Sequence, residues 1–311
     1  MLTVLGLVLG LVGLFFGGNW LVKGASLLAR SIGISPLVVG LTVVALGTST
    51  PELLVSVSAA LQGSPDIAIG NVLGSSIANI GLILGISGLI YPISVSVPLV
   101  KRQIPIMIIV SLAVVAMFQD QQVSRIDGTL LIIGLLAFIS YTIYGSLRDD
   151  KAYDTQSKTS LDVNRLKEGG RLVLGIIVLM IGSQLTVTNA TELARNFGIS
   201  ELVIGVTLIA VGTSLPELIT SVIAAMRQES DIAIGNVVGS NIFNLLGILG
   251  VTALVEPINV SRQVLTVDAV VMVGFTLLVL PFVLDRKLNR PEAAFFLIAY
   301  AAFTYYAVTA G

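Results

Sequence analysis

Long apolar runs follow one another along the chain and are separated by short connections. Because a helix of about 20 apolar residues crosses the hydrocarbon core of a bilayer, the runs predict ten transmembrane helices. The first run has no basic segment before it, so we interpret it as a retained helix and not as a signal peptide. The predicted spans cover residues 2–22, 37–62, 68–91, 104–118, 128–146, 171–189, 202–226, 233–255, 264–284 and 292–309.

Composition supports this interpretation and removes several kinds of chemistry. Only 11% of the residues are charged, against about 25% in a typical soluble domain, and the mean hydropathy is +0.98. A soluble globule and a disordered chain are excluded, and a net charge of -1 offers no basic face to nucleic acid. The absence of Cys and His excludes disulfides, thiolate or imidazole metal sites, and histidine general bases. The remaining oxygen ligands suit Ca²⁺ and alkali cations, and we expect no cofactor.

The basic residues indicate how the chain is oriented. Of the 17 Lys and Arg residues, 14 fall on the side of the membrane opposite the N-terminus. Because cytoplasmic loops carry the excess of Lys and Arg, that side is predicted to be cytoplasmic and both termini external. The polar stretch at 147–170 then forms a cytoplasmic linker. We expect a monomeric, multi-pass protein of the plasma (inner) membrane, surrounded by lipid.

An internal repeat relates the two halves of the chain. Residues 40–85 and 205–250 align without a gap at an offset of 165, and 27 of the 46 positions are identical. We therefore divide the chain into a first repeat at 1–146, the linker at 147–170 and a second repeat at 171–311. Each repeat has five spans, an odd number, so the second enters the membrane inverted, as in many secondary transporters. The predicted fold class is an all-α polytopic membrane protein with ten helices in two inverted five-helix repeats.

Two acidic residues lie well inside the predicted spans. They are the repeat mates Glu52 and Glu217, which end the sequences Gly-Thr-Ser-Thr-Pro-Glu and Gly-Thr-Ser-Leu-Pro-Glu. Each proline removes a backbone donor and opens the preceding turn, so that carbonyls around Ala45–Gly47 and Ala210–Gly212 can face a ligand. Broken helices at matching positions of two halves indicate a substrate site.

A polar stripe follows on the next span of each half. Its members recur every four residues and so share one helix face; they are Asn71, Ser75 and Asn79, and their mates Asn236, Ser240 and Asn244. Asn71 and Asn236 can be interpreted equally well as site residues or as residues that join helices. No Lys or Arg occurs in these four spans. A bound cation or a proton is therefore the simplest counter-charge for the glutamates.

The paired Gly-Thr-Ser-x-Pro-Glu and Gly-Asn-x-x-Gly-Ser motifs resemble those of the cation/Ca²⁺ antiporter superfamily, and most closely its sodium/calcium exchanger branch. The resemblance covers essentially the whole chain. It implies that the motifs bind Na⁺ and Ca²⁺ alternately at one central site, while the first and sixth spans slide across a four-helix core. The ligands that it implies are Glu52, Glu217, Thr48, Ser49, Thr213, Ser214, Ser75 and Ser240, the carbonyls of Ala45 and Ala210, and Asn79 and Asn244.

Two departures from the family pattern alter these expectations. Many relatives carry Asp where this chain has Asn244, so the site here holds at most two negative charges. One Ca²⁺ or two Na⁺ would neutralise it, whereas a third Na⁺ would leave a positive charge in a low dielectric. The long regulatory loop of the animal exchangers is also missing, and only the linker takes its place.

The sequence therefore favours a secondary-active antiporter in which Glu52 and Glu217 are ligands shared by Na⁺ and Ca²⁺. Ca²⁺/H⁺ exchange and K⁺-dependent Na⁺/Ca²⁺ exchange through the same carboxylates are the alternatives. An enzyme is not expected, because an intramembrane protease would need an Asp pair deep in the spans, or His. A channel is disfavoured, because broken helices around buried carboxylates predict occlusion.

Overall fold

The computed structural model of the chain describes residues 2–153, 164–198 and 210–310, and most of them are helical. Within those ranges, eight helices are long and apolar enough to cross a membrane, and the number is nine when a pair of helices bent by 45° is counted as one span. The helices are α1 (Leu2–Ile32), α2 (Pro36–Thr48), α3 (Thr50–Leu61), α4 (Pro65–Ile90), α5 (Leu99–Asp120), α6 (Arg125–Tyr153), α7 (Arg165–Asn196), α8 (Ala210–Gly212), α9 (Leu215–Met226), α10 (Ser230–Val255), α11 (Val264–Phe282) and α12 (Arg290–Ala310). The chain is thus a multi-pass helical membrane protein.

Nine of the ten predicted spans correspond to described helices, with α2 and α3 together forming the second span. The exception is 202–226. Its residues 202–209 lie outside the described residues, and the remainder forms the two short helices α8 and α9.

Three helices extend beyond their apolar runs. α1 continues to Ile32, so the predicted connection that holds Lys23 and Arg30 is helical. α6 continues to Tyr153 and α7 begins at Arg165, so both flanks of the predicted linker are helical as well, and its residues 154–163 lie outside the described residues. Hydropathy indicates only the part of a helix that lies within lipid. A helix can continue into water as a polar extension whose end is stabilised by a capping residue. The side chain of Asn164 provides such a cap by accepting the amide of Lys167.

Two short antiparallel strand pairs lie between the helices, which the predicted all-α class does not include. β1 (Ile93–Ser94) pairs with β4 (Lys287–Leu288), and β2 (Gln122–Val123) pairs with β3 (Ile258–Asn259). Adding 165 to the residue numbers of β1 gives those of β3, and adding 165 to those of β2 gives those of β4. One strand pair is therefore the repeat counterpart of the other. The same offset relates the bounds of α3 to those of α9.

The core of the protein is formed around α4 and α10. In the most apolar windows of these helices, 72% and 89% of the residues are buried, against 11% in α12. Both core helices contain a wider π-helical segment, Asn79–Leu84 in α4 and Phe243–Ile248 in α10. Such segments in a helix are frequent at functional sites.

Glycines bring α1 and α7 into backbone contact, and these two helices pack chiefly against each other. A methyl group placed on Gly182 would lie 2.7 Å from the amide nitrogen of Leu14 and 2.9 Å from the carbonyl oxygen of Gly10. A methyl group on Gly10 would lie 2.7 Å from the amide nitrogen of Thr186. Small residues permit this close approach of membrane helices.

We predict that Gly182→Ala destabilises the protein, because the backbone of α1 cannot move aside as a side chain could. Overpacking of this kind typically costs about 1–3 kcal/mol. Gly274→Ala is the matched control, because no described heavy atom lies within 4 Å of its added methyl group. The unfolding temperature in detergent should fall for Gly182→Ala and not for Gly274→Ala. Equal shifts would contradict the backbone contact.

Candidate cation-binding site

Each glutamate of the site lies in the first turn of a helix that begins at a break. Ser49 alone separates α2 from α3, with φ -82° and ψ 7°. Ser214 precedes α9 with nearly the same angles, φ -87° and ψ 8°. Pro51 and Pro216 follow in the first helical turn, where a proline is tolerated because its missing N–H would have no helical partner. The two serines therefore adopt the same backbone conformation at the start of α3 and of α9.

The two carboxylates are buried, and each is held by the opposite half of the chain. Glu52 and Glu217 are each only 1% exposed. The hydroxyl of Ser49 donates to Oε1 of Glu217 over 2.9 Å, and the hydroxyl of Ser214 donates to Oε1 of Glu52 over 3.1 Å. Each serine stands three residues before its own glutamate but bonds to the other one. These crossed bonds fix the two breaks against each other.

Several buried oxygens of the predicted ligand set have no hydrogen-bond partner in the described structure. They are Oε2 of Glu52, Oε2 of Glu217, Oγ1 of Thr213, Oδ1 of Asn79, Oδ1 of Asn244 and Oγ of Ser240. A buried polar atom without a partner is costly, so such a group of atoms requires an explanation. All six are oxygens, the ligand atoms that hard cations such as Ca²⁺ take.

The negative charge of the site has no basic partner in the chain as described. Arg30 pairs with Glu229 and Arg171 with Glu168, and among the residues whose side chains are described no ion pair reaches Glu52 or Glu217. Within residues 2–153, 164–198 and 210–310, no group of three or more carboxylates lies close enough together to hold a metal ion. The site therefore combines two carboxylates with neutral oxygens.

Asn71 and Asn236 hold the glutamates by their backbones. The Nδ2 of Asn71 donates to the carbonyl of Glu52 over 3.1 Å and to the hydroxyl of Ser56 over 2.8 Å. The Nδ2 of Asn236 donates in the same way in the second half, to the carbonyl of Glu217 over 3.3 Å and to the hydroxyl of Ser221 over 3.0 Å. These amides thus fasten α3 to α4 and α9 to α10 without reaching the carboxylates.

Further hydrogen bonds join the two halves through the core helices. The Nδ2 of Asn244 donates to Oγ of Ser75 over 2.9 Å, which connects α10 to α4. The hydroxyl of Ser75 in turn donates to the carbonyl of Asn71 over 2.6 Å. The hydroxyl of Thr48 lies 3.2 Å from Oδ1 of Asn236, which connects α2 to α10.

The backbone carbonyls at the two breaks have different hydrogen-bond partners. The carbonyl of Ala45 accepts the amide of Ser49 over 3.0 Å and the hydroxyl of Thr48 over 3.3 Å, because the helix persists up to Ser49. The carbonyl of Gly212, which loses its donor to a proline, accepts the hydroxyl of Ser183 on α7 over 2.9 Å. Ala210 begins the segment 210–310, and no bond of its carbonyl is described.

Asn241 also belongs to this network, although the polar stripe does not include it. The Nδ2 of Asn79 donates to Oδ1 of Asn241 over 3.0 Å. The sequence does contain a signal, because the repeat mate of Asn241 is Ser76 in a stretch that is otherwise closely similar.

We predict that the crossed serines couple to the opposite glutamate in a double-mutant cycle. Removing the hydroxyl with Ser49→Ala leaves one oxygen of Glu217 without its donor, and residues in direct contact typically couple by about 0.5–3 kcal/mol. Shifts in unfolding temperature should be non-additive for Ser49→Ala with Glu217→Gln and closer to additive with Glu52→Gln. The reverse order of coupling would contradict the crossed arrangement.

Comparisons with known proteins agree with this architecture. The family model described as sodium/calcium exchanger protein matches residues 2–144 and 169–309. The sodium/calcium exchanger MaX1 of Methanosarcina acetivorans is 34% identical to the chain, with 96% of each covered. The inner membrane protein YrbG of Escherichia coli is 40% identical over 81% of this chain and 79% of its own. A solved structure of the sodium-calcium exchanger NCX_Mj is 35% identical, with a TM-score of 0.85 and 97% of each chain covered. These matches confirm the resemblance in the motifs: the chain belongs to the sodium/calcium exchanger family, a family of transporters and not of enzymes.

Proposed function

We propose that this protein is a secondary-active antiporter that exchanges Na⁺ for Ca²⁺ by alternating access at the two-glutamate site. The observation that carries the proposal is the pair of buried carboxylates, each with one oxygen bonded across the halves and the other without a partner. In this proposal, Glu52 and Glu217 are ligands of both ions, so the two kinds of ion exclude each other. The neutral ligands are those named in the sequence, Thr48, Ser49, Thr213, Ser214, Ser75, Ser240, Asn79 and Asn244, with the carbonyls of Ala45 and Ala210.

The charge of the site favours exchange of two Na⁺ for one Ca²⁺. Two carboxylates are neutralised by either load, because Asn244 contributes no charge. A third Na⁺ would add an uncompensated positive charge among buried groups, where the dielectric is low. Ca²⁺ takes six to eight oxygen ligands, and six carboxylate, hydroxyl and amide oxygens of the proposed ligand set have no hydrogen-bond partner in the described structure.

The arrangement in the membrane that we propose is two inverted five-helix repeats, 1–146 and 171–311. Its support is the offset of 165, which relates both strand pairs and the bounds of α3 and α9, together with two separate matches to the family model. The distribution of Lys and Arg supports external termini, a cytoplasmic linker at 147–170 and a place in the plasma (inner) membrane.

Alternating access requires one part of the protein to move relative to the site, and we assign that motion to α1 and α7. Their backbones touch through glycines, which favours movement as a unit. The unit also contacts a break directly, through the bond from Ser183 to the carbonyl of Gly212. A shift of α7 would therefore change the hydrogen bonding at the turn that carries Glu217.

Ca²⁺/H⁺ exchange is the second candidate. Two protons neutralise the two carboxylates as completely as two Na⁺, and the unpartnered oxygen of each glutamate is a place for a proton. K⁺-dependent Na⁺/Ca²⁺ exchange is a variant of the first proposal, in which K⁺ would be carried as well.

We predict Na⁺-driven Ca²⁺ uptake into proteoliposomes that contain the purified protein. Vesicles loaded with Na⁺ should accumulate ⁴⁵Ca²⁺ in a K⁺-free medium, and a pH gradient alone should not replace the Na⁺ gradient. Glu52→Gln and Glu217→Gln should reduce uptake to the level of empty vesicles, because each removes half of the charge that holds the ion. Glu256→Gln, at an exposed position just after α10, is the matched control and should transport normally.

The result distinguishes the candidates. Uptake driven only by the pH gradient would replace the proposal with Ca²⁺/H⁺ exchange, and uptake that requires K⁺ would identify the K⁺-dependent variant. Full Na⁺-driven uptake by either site variant would contradict the two-glutamate site.

A further inference from the structure

Ser75 and Asn79 on α4, and their repeat mates Ser240 and Asn244 on α10, form different hydrogen bonds in the two halves. Asn79 and Asn244 are repeat mates, as are Ser75 and Ser240. Asn244 donates its amide to Ser75, as noted above, so an exact repeat would have Asn79 donate to Ser240. The amide of Asn79 instead donates to Asn241, and the hydroxyl of Ser240 has no partner in the described structure.

The difference arises from one pair of residues that departs from the repeat. The mate of Asn241 is Ser76, whose hydroxyl donates to the carbonyl of Val72 in its own helix over 2.8 Å. Ser76 is therefore satisfied locally and does not orient Asn244. Asn241 is 1% exposed, and its longer side chain reaches across to α4.

Met107 on α5 fixes the direction of the Asn241 amide. The Nδ2 of Asn241 donates to Sδ of Met107 over 3.7 Å. A thioether sulfur carries no hydrogen and can only accept, so the NH₂ of Asn241 must face it and the oxygen of Asn241 must face Asn79. Asn79 then has to donate its own NH₂, which leaves its Oδ1 as the atom without a partner.

A reversed amide would be unfavourable for a cation. If the amide of Asn241 were reversed, its NH₂ group would face Asn79. The amide of Asn79 would then have to reverse as well, to present its Oδ1 to that donor. The NH₂ group of Asn79 would consequently occupy the position of the oxygen that is now unpartnered. The site would then present hydrogens where it now presents an unpartnered oxygen. The two hydrogen bonds, from Asn241 to Met107 and from Asn79 to Asn241, thus determine whether the oxygen or the NH₂ group of Asn79 is available to a cation.

We propose that Met107 and Asn241 are positioning residues that hold Asn79 with its oxygen available to the cation and thereby favour Ca²⁺ over Na⁺. This inference rests on the proposed function, because Asn79 is taken to be a ligand of the transported ion. The interaction of an amide dipole with an ion grows in proportion to the ionic charge. Loss of the orientation should therefore weaken binding of one Ca²⁺ more than binding of one Na⁺ at the same place.

The test compares Met107→Leu with Met272→Leu in the flux assay. Met272 is the repeat mate of Met107 and equally buried, at 1% and 0% exposed, and the described side-chain bonds give it no amide partner. A Met-to-Leu exchange conserves volume and is well tolerated in cores. The loss of one orienting hydrogen bond is expected to raise the Ca²⁺ concentration for half-maximal uptake by about three- to tenfold in Met107→Leu. The maximal rate and the half-maximal Na⁺ concentration of Met107→Leu should change less than its half-maximal Ca²⁺ concentration. For Met272→Leu, all three quantities should change less than the half-maximal Ca²⁺ concentration of Met107→Leu.

Two further variants separate positioning from a general packing effect. Asn241→Ser, which gives position 241 the residue of its mate, should raise the half-maximal Ca²⁺ concentration at least as much as Met107→Leu. In an Asn79→Ala background, Met107→Leu should have no further effect on that concentration, because the group that it orients is gone.

Equal behaviour of Met107→Leu and Met272→Leu would overturn the inference. An undiminished effect in the Asn79→Ala background would also overturn it. The proposed function fails separately, by normal uptake in Glu52→Gln or Glu217→Gln.

Discussion

Two glutamates that are buried in a helical core, without a basic partner among the described side chains, are the constraint on which the rest of the structure depends. A carboxylate at mid-membrane costs about 2.5–3.5 kcal/mol on insertion scales, and here there are two. The breaks before α3 and α9, the crossed serine bonds and the amides that fasten the glutamate backbones all serve to hold these groups in place. They do not neutralise the charge of the two glutamates, and in the proposed function the transported ion does so. On that proposal, the site holds either Ca²⁺ or Na⁺ and is unfavourable when empty.

The duplication explains how such a site is built, and its imperfections make the two halves inequivalent. The offset of 165 reproduces the breaks, the glutamates and both strand pairs. The repeat is not reproduced at Ser76 and Asn241. Ser76 bonds within its own helix, whereas Asn241 of the second half accepts the amide of Asn79 from the first half. The repeat is also not reproduced at Gly18 and Ser183, where only α7 carries a hydroxyl that bonds a carbonyl at a break. Each departure adds a polar contact that a perfect repeat would lack, from Asn241 to Met107 on α5 and from Ser183 to the carbonyl of Gly212.

The sequence alone could identify the parts of the site but not their connections. The Pro-Glu motifs predict breaks and buried acids, because a proline acts on its own turn and a carboxylate in an apolar span stands out. The crossing of Ser49 to Glu217 could not be predicted, because it depends on how two distant breaks meet. The same holds for Asn241, whose partners lie on two other helices. The carbonyl of Ala45 keeps its helical hydrogen bond because the break falls at Ser49, and its role as a ligand stays a prediction. The ends of α1, α6 and α7 were missed because hydropathy cannot detect helical turns outside the bilayer.

The central claim is that Ca²⁺ and Na⁺ share two carboxylates that neutralise one divalent or two monovalent ions. Equilibrium binding of ⁴⁵Ca²⁺ to the purified protein over a range of Na⁺ concentrations, at fixed pH, tests it most directly. The apparent dissociation constant for Ca²⁺ should rise with the square of the Na⁺ concentration once Na⁺ is in excess. A constant that is independent of Na⁺ would contradict shared ligands, and a rise with the third power would contradict the limit of two charges.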